Sequence, residues 1–202
     1  MKIAVLGASG RAGSEITKEL AARGHQVTGI ARHPDAIPAL GGVTRIAGDA
    51  SDPHRLAHPI RGSDAVISAL HFDVAAETLL SALKLAGVLR LLVTGGAASL
   101  EVAPGKRLFD TPDFPAEWKD IAAGGIAFLD ALRAEREIDW TFFSPAALLV
   151  EGPRTGHYRV GGDQLVRDAA GESRISFADY AIAMVDELER PRHSRARFTA
   201  AY

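Results

Sequence analysis

The chain has no cysteine among its 202 residues. That excludes disulfide bonds, thiolate nucleophiles and zinc–thiolate sites together, and it fits a reducing compartment. Long apolar runs are missing too. No stretch approaches the ~18 residues needed to span a bilayer. The first apolar segment, Ile3 to Leu6, is followed by glycines and the charged segment Arg11 to Arg23, not by a signal-peptide core. The expectation is a soluble cytoplasmic protein with no membrane partner. Charge of one sign is not in excess either: a net charge of −2 provides no basic surface for nucleic acid. The basic run Arg190–Arg197 follows Glu187 and Glu189, as a solvated connection would. With no repeat, low-complexity tract or long linker, residues 1–202 are expected to form one domain, with substrate-side elements mainly in 146–202.

What is present is an alternation of short apolar runs with helix-period segments. Strands are expected at Lys2–Leu6, Gln26–Ala31, Val43–Ala47, Ala65–Ala69, Leu89–Thr94 and Asp139–Ser144. Several are apolar throughout, as strands covered on both faces should be. Ala12, Ile16 and Leu20 share one helical face that stops at Gly24. Further helices are expected over Val74–Ala86 and Pro115–Glu135, the latter with Ile126, Leu129 and Leu132 on one stripe. This order predicts an α/β fold with a doubly wound parallel sheet. Beyond Pro145, His157–Val160 and Gln164–Arg167 flank Gly161-Gly162-Asp163 and read as a hairpin; a helix over Phe177–Leu188 and a last strand, Phe198–Tyr202, follow. Gly95–Pro115 reads as a long, functional loop.

Gly7, Gly10 and Gly13 stand three apart directly after the first strand, in LGASGRAG. Such a turn presents backbone N–H groups and the positive end of a helix dipole to an anion. By itself the spacing G-x-x-G-x-x-G fits a plain tight turn as well as a pyrophosphate site. Its placement, strand–turn–helix–strand, favours the second. In dinucleotide sites a carboxylate ending the next strand takes the ribose 2′-hydroxyl of NAD, whereas an Arg nearby accommodates the 2′-phosphate of NADP. Here the strand ends Ile30-Ala31-Arg32-His33-Pro34, with no acid. Arg32 is either that phosphate partner or a solvated loop cation, and the context favours NADP(H) over NAD(H).

On these residues the chain resembles the atypical and extended short-chain dehydrogenase/reductase superfamily, and within it the NAD(P)H-binding, NmrA-like and flavin-reductase-like group. The resemblance runs through GASGRAG, IARHP, GDASD at Gly48–Asp52, AVISAL at Ala65–Leu70, LLVTGGAASL at Leu91–Leu100 and DWTFFSPAAL at Asp139–Leu148. It implies a Rossmann fold in which Gly7, Ser9, Gly10, Arg11, Ala12 and Gly13 hold the phosphates and Arg32 the 2′-phosphate. By the same resemblance Asp49 and Ala50 border the adenine, and Ala69 and Leu70 lie along the cofactor ribose. Thr94, Gly95, Gly96, Ser144 and Pro145 approach the nicotinamide.

The chain departs from the superfamily at its chemistry. Dehydrogenases of that superfamily carry Tyr-x-x-x-Lys; Lys119, 26 residues before Pro145, falls near the lysine position, but four residues before it stands Pro115. Without the tyrosine acid, protonation of a developing alkoxide is in doubt. Hydride transfer to a flavin, quinone or similar conjugated acceptor is less demanding, because charge in the acceptor delocalises. Lys119 is then the candidate catalytic residue, as a stabiliser of an anionic acceptor or an anchor for the nicotinamide ribose, or else a surface cation. Trp118 is a candidate stacking platform or simply a half-buried aromatic. The alternatives are a non-catalytic, NADP(H)-sensing NmrA-like regulator, and, with less room for a substrate lobe, a sugar-nucleotide epimerase-like enzyme.

Competing motifs fail on their own residues. Gly7-Ala8-Ser9-Gly10 is followed by Arg11 where a hydrolase elbow needs glycine. His54 and His58 have ligand spacing, but Arg55 stands where a zinc protease needs Glu, and no third ligand is evident, so no metal is expected. His71 follows the fourth strand, within reach of the active-site cleft, or is a solvent-facing loop residue, the commoner outcome. The expected partner is a small-molecule acceptor, with the chain a monomer or homodimer.

Overall fold

The structure, a computed structural model, describes residues 1–202. In chain order the strands and helices are β1 (Lys2–Leu6), α1 (Arg11–Ala22), β2 (Gln26–Ala31), β3 (Val43–Ala47), α2 (Pro53–Ile60), β4 (Ala65–Ser68), α3 (Ala76–Ala86) and β5 (Arg90–Thr94). They continue with β6 (Glu101–Ala103), β7 (Lys106–Arg107), α4 (Lys119–Ala134), β8 (Asp139–Pro145), β9 (Leu148–Val150), β10 (Arg159–Gly161), β11 (Arg174–Ser176), α5 (Phe177–Glu189) and β12 (Ala196–Ala201).

Eight strands form one sheet in the order β10-β12-β8-β5-β4-β1-β2-β3. All neighbours run parallel except β10, which lies antiparallel to β12 at the edge. The chain leaves β1 toward β2 and β3, then returns to place β4 on the other side of β1. That reversal opens a crevice at the carboxyl ends of β1 and β4, where ligands of such sheets bind.

Alternate residues of the central strands feed two cores. Ile3, Val5, Ile67, Leu92 and Phe143 pack with Ile16 and Leu20 of α1 and with Tyr180 and Met184 of α5. Their strand neighbours, among them Ala4, Leu6, Val66, Leu91 and Phe142, pack on the other face with Leu56, Leu83, Leu129 and Leu132 of α2, α3 and α4. Burial on both faces is the reason these strands read as continuous apolar runs. No helix is long and apolar enough to cross a membrane.

Three expectations for the later chain are corrected. Gln164–Arg167 forms no hairpin strand: β10 instead pairs with β12, and the Leu165 amide donates to the Glu101 carbonyl. Gly95–Pro115 is not loop throughout, since β6 and β7 form a small hairpin around Pro104-Gly105, where Gly105 takes φ +71°. On α4 the stripe shifts: Phe128, Leu129 and Leu132 are buried, while Ile126 lines a cavity. β9 and β11 make a separate parallel pair.

Candidate functional site

The glycine turn is built by contacts that leave little freedom. Gly7 adopts φ +74°, and a Cβ on it would stand 2.5 Å from the Ala69 carbonyl oxygen at the end of β4. Its amide donates to the Ile30 carbonyl at 2.9 Å, and the Ala69 amide to the Leu6 carbonyl at 2.8 Å. The turn is thereby pinned to the ends of β2 and β4. Gly10 differs: a Cβ there would meet only the Gly7 oxygen, at 3.3 Å. Gly10 is also the N-cap of α1 and provides no side-chain acceptor, and the first turn carries no acid. The amides of Arg11, Ala12 and Gly13 therefore have no capping partner within the protein. Uncapped donors at a dipole's positive end, beside a residue stripped of its side chain, fit a diphosphate. Ser9 and Arg11 are exposed beside them, and the Arg11 guanidinium lies 5.2 Å from the Phe177 ring centroid.

Beyond β2 and β3 lies a polar cavity of about 510 Å³, lined by Arg32, Asp49, Arg55 and His58 among others. Asp52 caps α2 by accepting from the amides of His54 and Arg55, which fixes Arg55 in the first turn facing the strand ends. The Ser51 amide donates to Asp49 at 2.9 Å. That bond, then the Ser51 hydroxyl, with Arg32 and Arg55 nearby, holds the Asp49 carboxyl below its ordinary range. Of the residues expected at the adenosine end, Arg32 and Asp49 line this cavity and Ala50 does not; Arg55, weighed in the sequence only as the wrong residue for a zinc motif, joins them.

A second cavity, of about 650 Å³, opens just beyond β5 and β8, where Gly96 and Ala147 line it. This volume suits a small-molecule site. Phe72, Phe114, Trp118, Ile121, Ile126 and Leu148 give it an apolar wall that includes three aromatic rings, and Asp113 and Arg167 are its charged residues. Phe72 is seated by the pair Gly124-Gly125: a Cβ on Gly125 would stand 2.8 Å from the Phe72 ring. Glycines inside a helix cost stability, so their presence here marks a close approach. The sequence hinted at this cavity only through Trp118; the misread hairpin hid Arg167.

Of the remaining expected positions, Ala69, Leu70, Thr94 and Gly95 stand half-buried at the ends of β4 and β5, on the same edge as the turn. Gly95 owes its missing side chain to packing, because a Cβ would fall 2.3 Å from the Phe142 ring. Ser144 and Pro145 are buried, and the Ser144 hydroxyl has no hydrogen-bond partner. Lys119 is not brought to the cavity. It is exposed at the first position of α4 and does not line the space that Trp118, Ile121 and Ala122 of the same segment line. Trp118 and Ile121 of this segment, each 50% exposed, line the open cavity, and the lysine between them faces water.

All three tyrosines are engaged elsewhere. Tyr180 is fully buried and donates to the Phe143 carbonyl at 2.8 Å, and burial pushes its hydroxyl well above the ordinary pKa. Tyr158 donates to Asp186 and Tyr202 to Asp179. His54 and His58 lie on α2, and no group of three or more His, Asp or Glu residues is arranged to hold a metal ion. His71 is exposed, as a loop histidine should be.

Comparison with known proteins agrees with this geometry. The uncharacterized protein YwnB of Bacillus subtilis is 44% identical over 98% of this chain and 97% of its own. The crystal structure of a putative epimerase from Bacteroides thetaiotaomicron superposes with a TM-score of 0.93 at 43% identity, over 100% of this chain and 96% of that one. A putative NADH-flavin reductase from Streptococcus pneumoniae gives 0.88 at 37% identity, over 100% and 99%. The model of the NAD(P)H-binding family matches residues 7–190. The chain belongs to the NAD(P)H-binding family and has its Rossmann-like fold.

Proposed function

We propose that the protein is an NADPH-dependent reductase that passes hydride to a small, flat, conjugated acceptor such as a flavin or quinone. One observation carries this reading: an apolar cavity with three aromatic rings in its wall opens at the same sheet edge as the dinucleotide turn, and no tyrosine lines it. When bound, the nicotinamide coenzyme supplies the hydride. The protein's own residues bind and orient. The amides of Arg11, Ala12 and Gly13 bind the diphosphate, and Arg32 with Arg55 neutralises the 2′-phosphate, which favours NADPH over NADH. Thr94, Gly95 and Gly96 border the nicotinamide through backbone. Phe72, Phe114 and Trp118 hold the acceptor ring and exclude water, bringing the reacting atoms within ~3.5 Å. With the charge of the reduced acceptor spread over its rings, no strong side-chain acid is required beside it.

The name of the Bacteroides relative raises epimerisation as a second chemistry. It fits less well, because no tyrosine reaches the cavity to take a sugar hydroxyl's proton, all three being committed to Phe143, Asp186 and Asp179, and Asp113 is the one carboxylate there. The experiment is NADPH and NADH consumption with a panel of flavins, quinones and azo dyes. Turnover with NADPH on flat acceptors is the expected result. Tight cofactor binding without turnover, together with a protein partner whose capture depends on NADP(H), would make the chain a sensor instead.

A further inference from the structure

We infer that the apolar cavity selects acceptors that carry an acidic substituent, a phosphate or carboxylate beside the flat ring, and that Arg167 reads that group. The inference rests on the reductase reading for the ring and adds what its substituent must be. Arg167 is the single cation among the lining residues and forms no ion pair; Asp113, the other charged lining residue, is not within salt-bridge range of it. An exposed guanidinium on the edge of an apolar cavity, with no carboxylate partner, is free to pair with an anion that the cavity brings to it.

Arg167 is exposed, where the cavity meets solvent, and it is held from behind. The Arg167 Nη1 donates to the Gly171 carbonyl at 2.7 Å, and its own carbonyl accepts from Arg159 Nη2 at 2.7 Å. The next residue, Asp168, accepts from the amides of Ala170 and Glu172, which closes the turn behind it. In front, the segment is stitched to the cavity's opposite wall: Glu101 N–H donates to the Asp163 carbonyl at 2.8 Å, and Leu165 N–H to the Glu101 carbonyl at 2.8 Å. Arg197, buried on β12, donates to both Ser99 at 3.0 Å and Asp163 at 2.8 Å, tying the two walls through one side chain. Only one of the Arg167 terminal nitrogens is occupied by the protein, so a bidentate face stays available along Nε and Nη2. This much backbone bonding around an otherwise irregular stretch is what a specificity element requires, because a loosely held arginine would lose its side-chain entropy on each binding event.

The test is calorimetric titration of the whole protein with riboflavin and with FMN, which share a ring system and differ by a phosphate. Each titration is run alone and with saturating NADP⁺, so that the Arg32–Arg55 cavity cannot capture the FMN phosphate. The expected result with NADP⁺ present is FMN tighter than riboflavin by about tenfold, as for a partly exposed charged hydrogen bond. Arg167→Gln brings the ratio close to one, and Arg167→Lys keeps part of it. A ratio near one in the unmodified protein, or one that survives Arg167→Gln, overturns the inference. Binding is read without turnover, so a discriminating but inactive protein would sink the reductase reading and leave this one standing.

Discussion

Gly13 lies so close under Gly7 that a methyl group on it would stand 2.1 Å from the Gly7 carbonyl oxygen. No backbone can absorb that overlap without moving the turn. Gly13→Ala should therefore destabilise the fold by about 1–3 kcal/mol, as other overpacked sites do, and lower Tm. Gly10→Ala has a milder contact, 3.3 Å, and should cost no more than about 1 kcal/mol as an N-cap change. Yet on the proposed reading its added methyl would occupy the place of the diphosphate, so NADPH binding should fall sharply. Thermal unfolding and cofactor titration of the two variants separate the glycine kept for packing from the one kept for the ligand. Equal cofactor binding by Gly10→Ala and the unmodified protein would remove the turn from the cofactor site.

Arg32→Glu should weaken NADPH far more than NADH, by about 1–3 kcal/mol if the charged contact is made. Arg55→Gln should act in the same sense and less strongly, since it removes a charge without reversing one. The measurement is the ratio of Kd values for the two coenzymes. An equal loss for both would show that these arginines touch something other than the 2′-phosphate.

No tyrosine should prove to be the proton donor. Tyr158→Phe, Tyr180→Phe and Tyr202→Phe are each expected to retain acceptor reduction within about tenfold, with stability changes of ~1 kcal/mol for the lost hydrogen bond. Tyr180→Phe is the sharpest case. The Phe143 carbonyl that loses the phenol still accepts from the Gly95 amide at 2.8 Å. A collapse of kcat in any one variant would reopen carbonyl–alcohol chemistry.

Trp118→Ala should raise the acceptor KM by about tenfold through lost ring contact, whereas Lys119→Ala should change kcat by no more than about twofold. The two residues are adjacent in sequence, but the first lines the cavity and the second does not. Steady-state kinetics with one flavin decides between them. The reverse pattern would restore the lysine to the chemistry.

Acid should expose one further anchor. Burial raises the Glu135 pKa, but the amides of Glu137, Ile138 and Arg136 and the Lys84 ammonium outweigh it and bring the carboxyl to about 2. A carboxylate with a depressed folded pKa stabilises fully above its unfolded value, ~4.3, and that contribution is lost as pH falls toward 2. The Tm difference between the unmodified protein and Glu135→Gln should hence be largest above pH 5 and vanish near pH 2. A difference independent of pH would assign Glu135 a packing role only.

Much of this was legible in the chain because the signals are local. β1, β2 and β3 have the bounds their apolar runs predict, and Gly24 ends α1 as expected, with φ +80°. The glycine turn, Arg32 and Asp49 could be assigned to strand ends because a parallel sheet puts every loop that follows a strand on one edge. The hairpin over 157–167 failed for the opposite reason. Gly161-Gly162-Asp163 looks like a two-strand turn, but the partner of β10 is the last strand, β12, where Arg159 pairs with Ala201, 42 residues along, and no local pattern announces a long-range pairing. Lys119 failed similarly, since its spacing to Pro145 gives a sequence position and not a direction.

The alternation of strand and helix, the doubly wound order and the anion-ready turn can be read from the chain alone, because apolar periodicity and glycine placement act over a few residues. Packing between distant segments was needed to show that Arg55 joins Arg32, that Phe72, Phe114 and Trp118 line one cavity, and that Arg167 stands at it without a carboxylate partner. Those meetings depend on packing between segments distant in the chain, where burial and steric fit, not local propensity, set which side chains share a space.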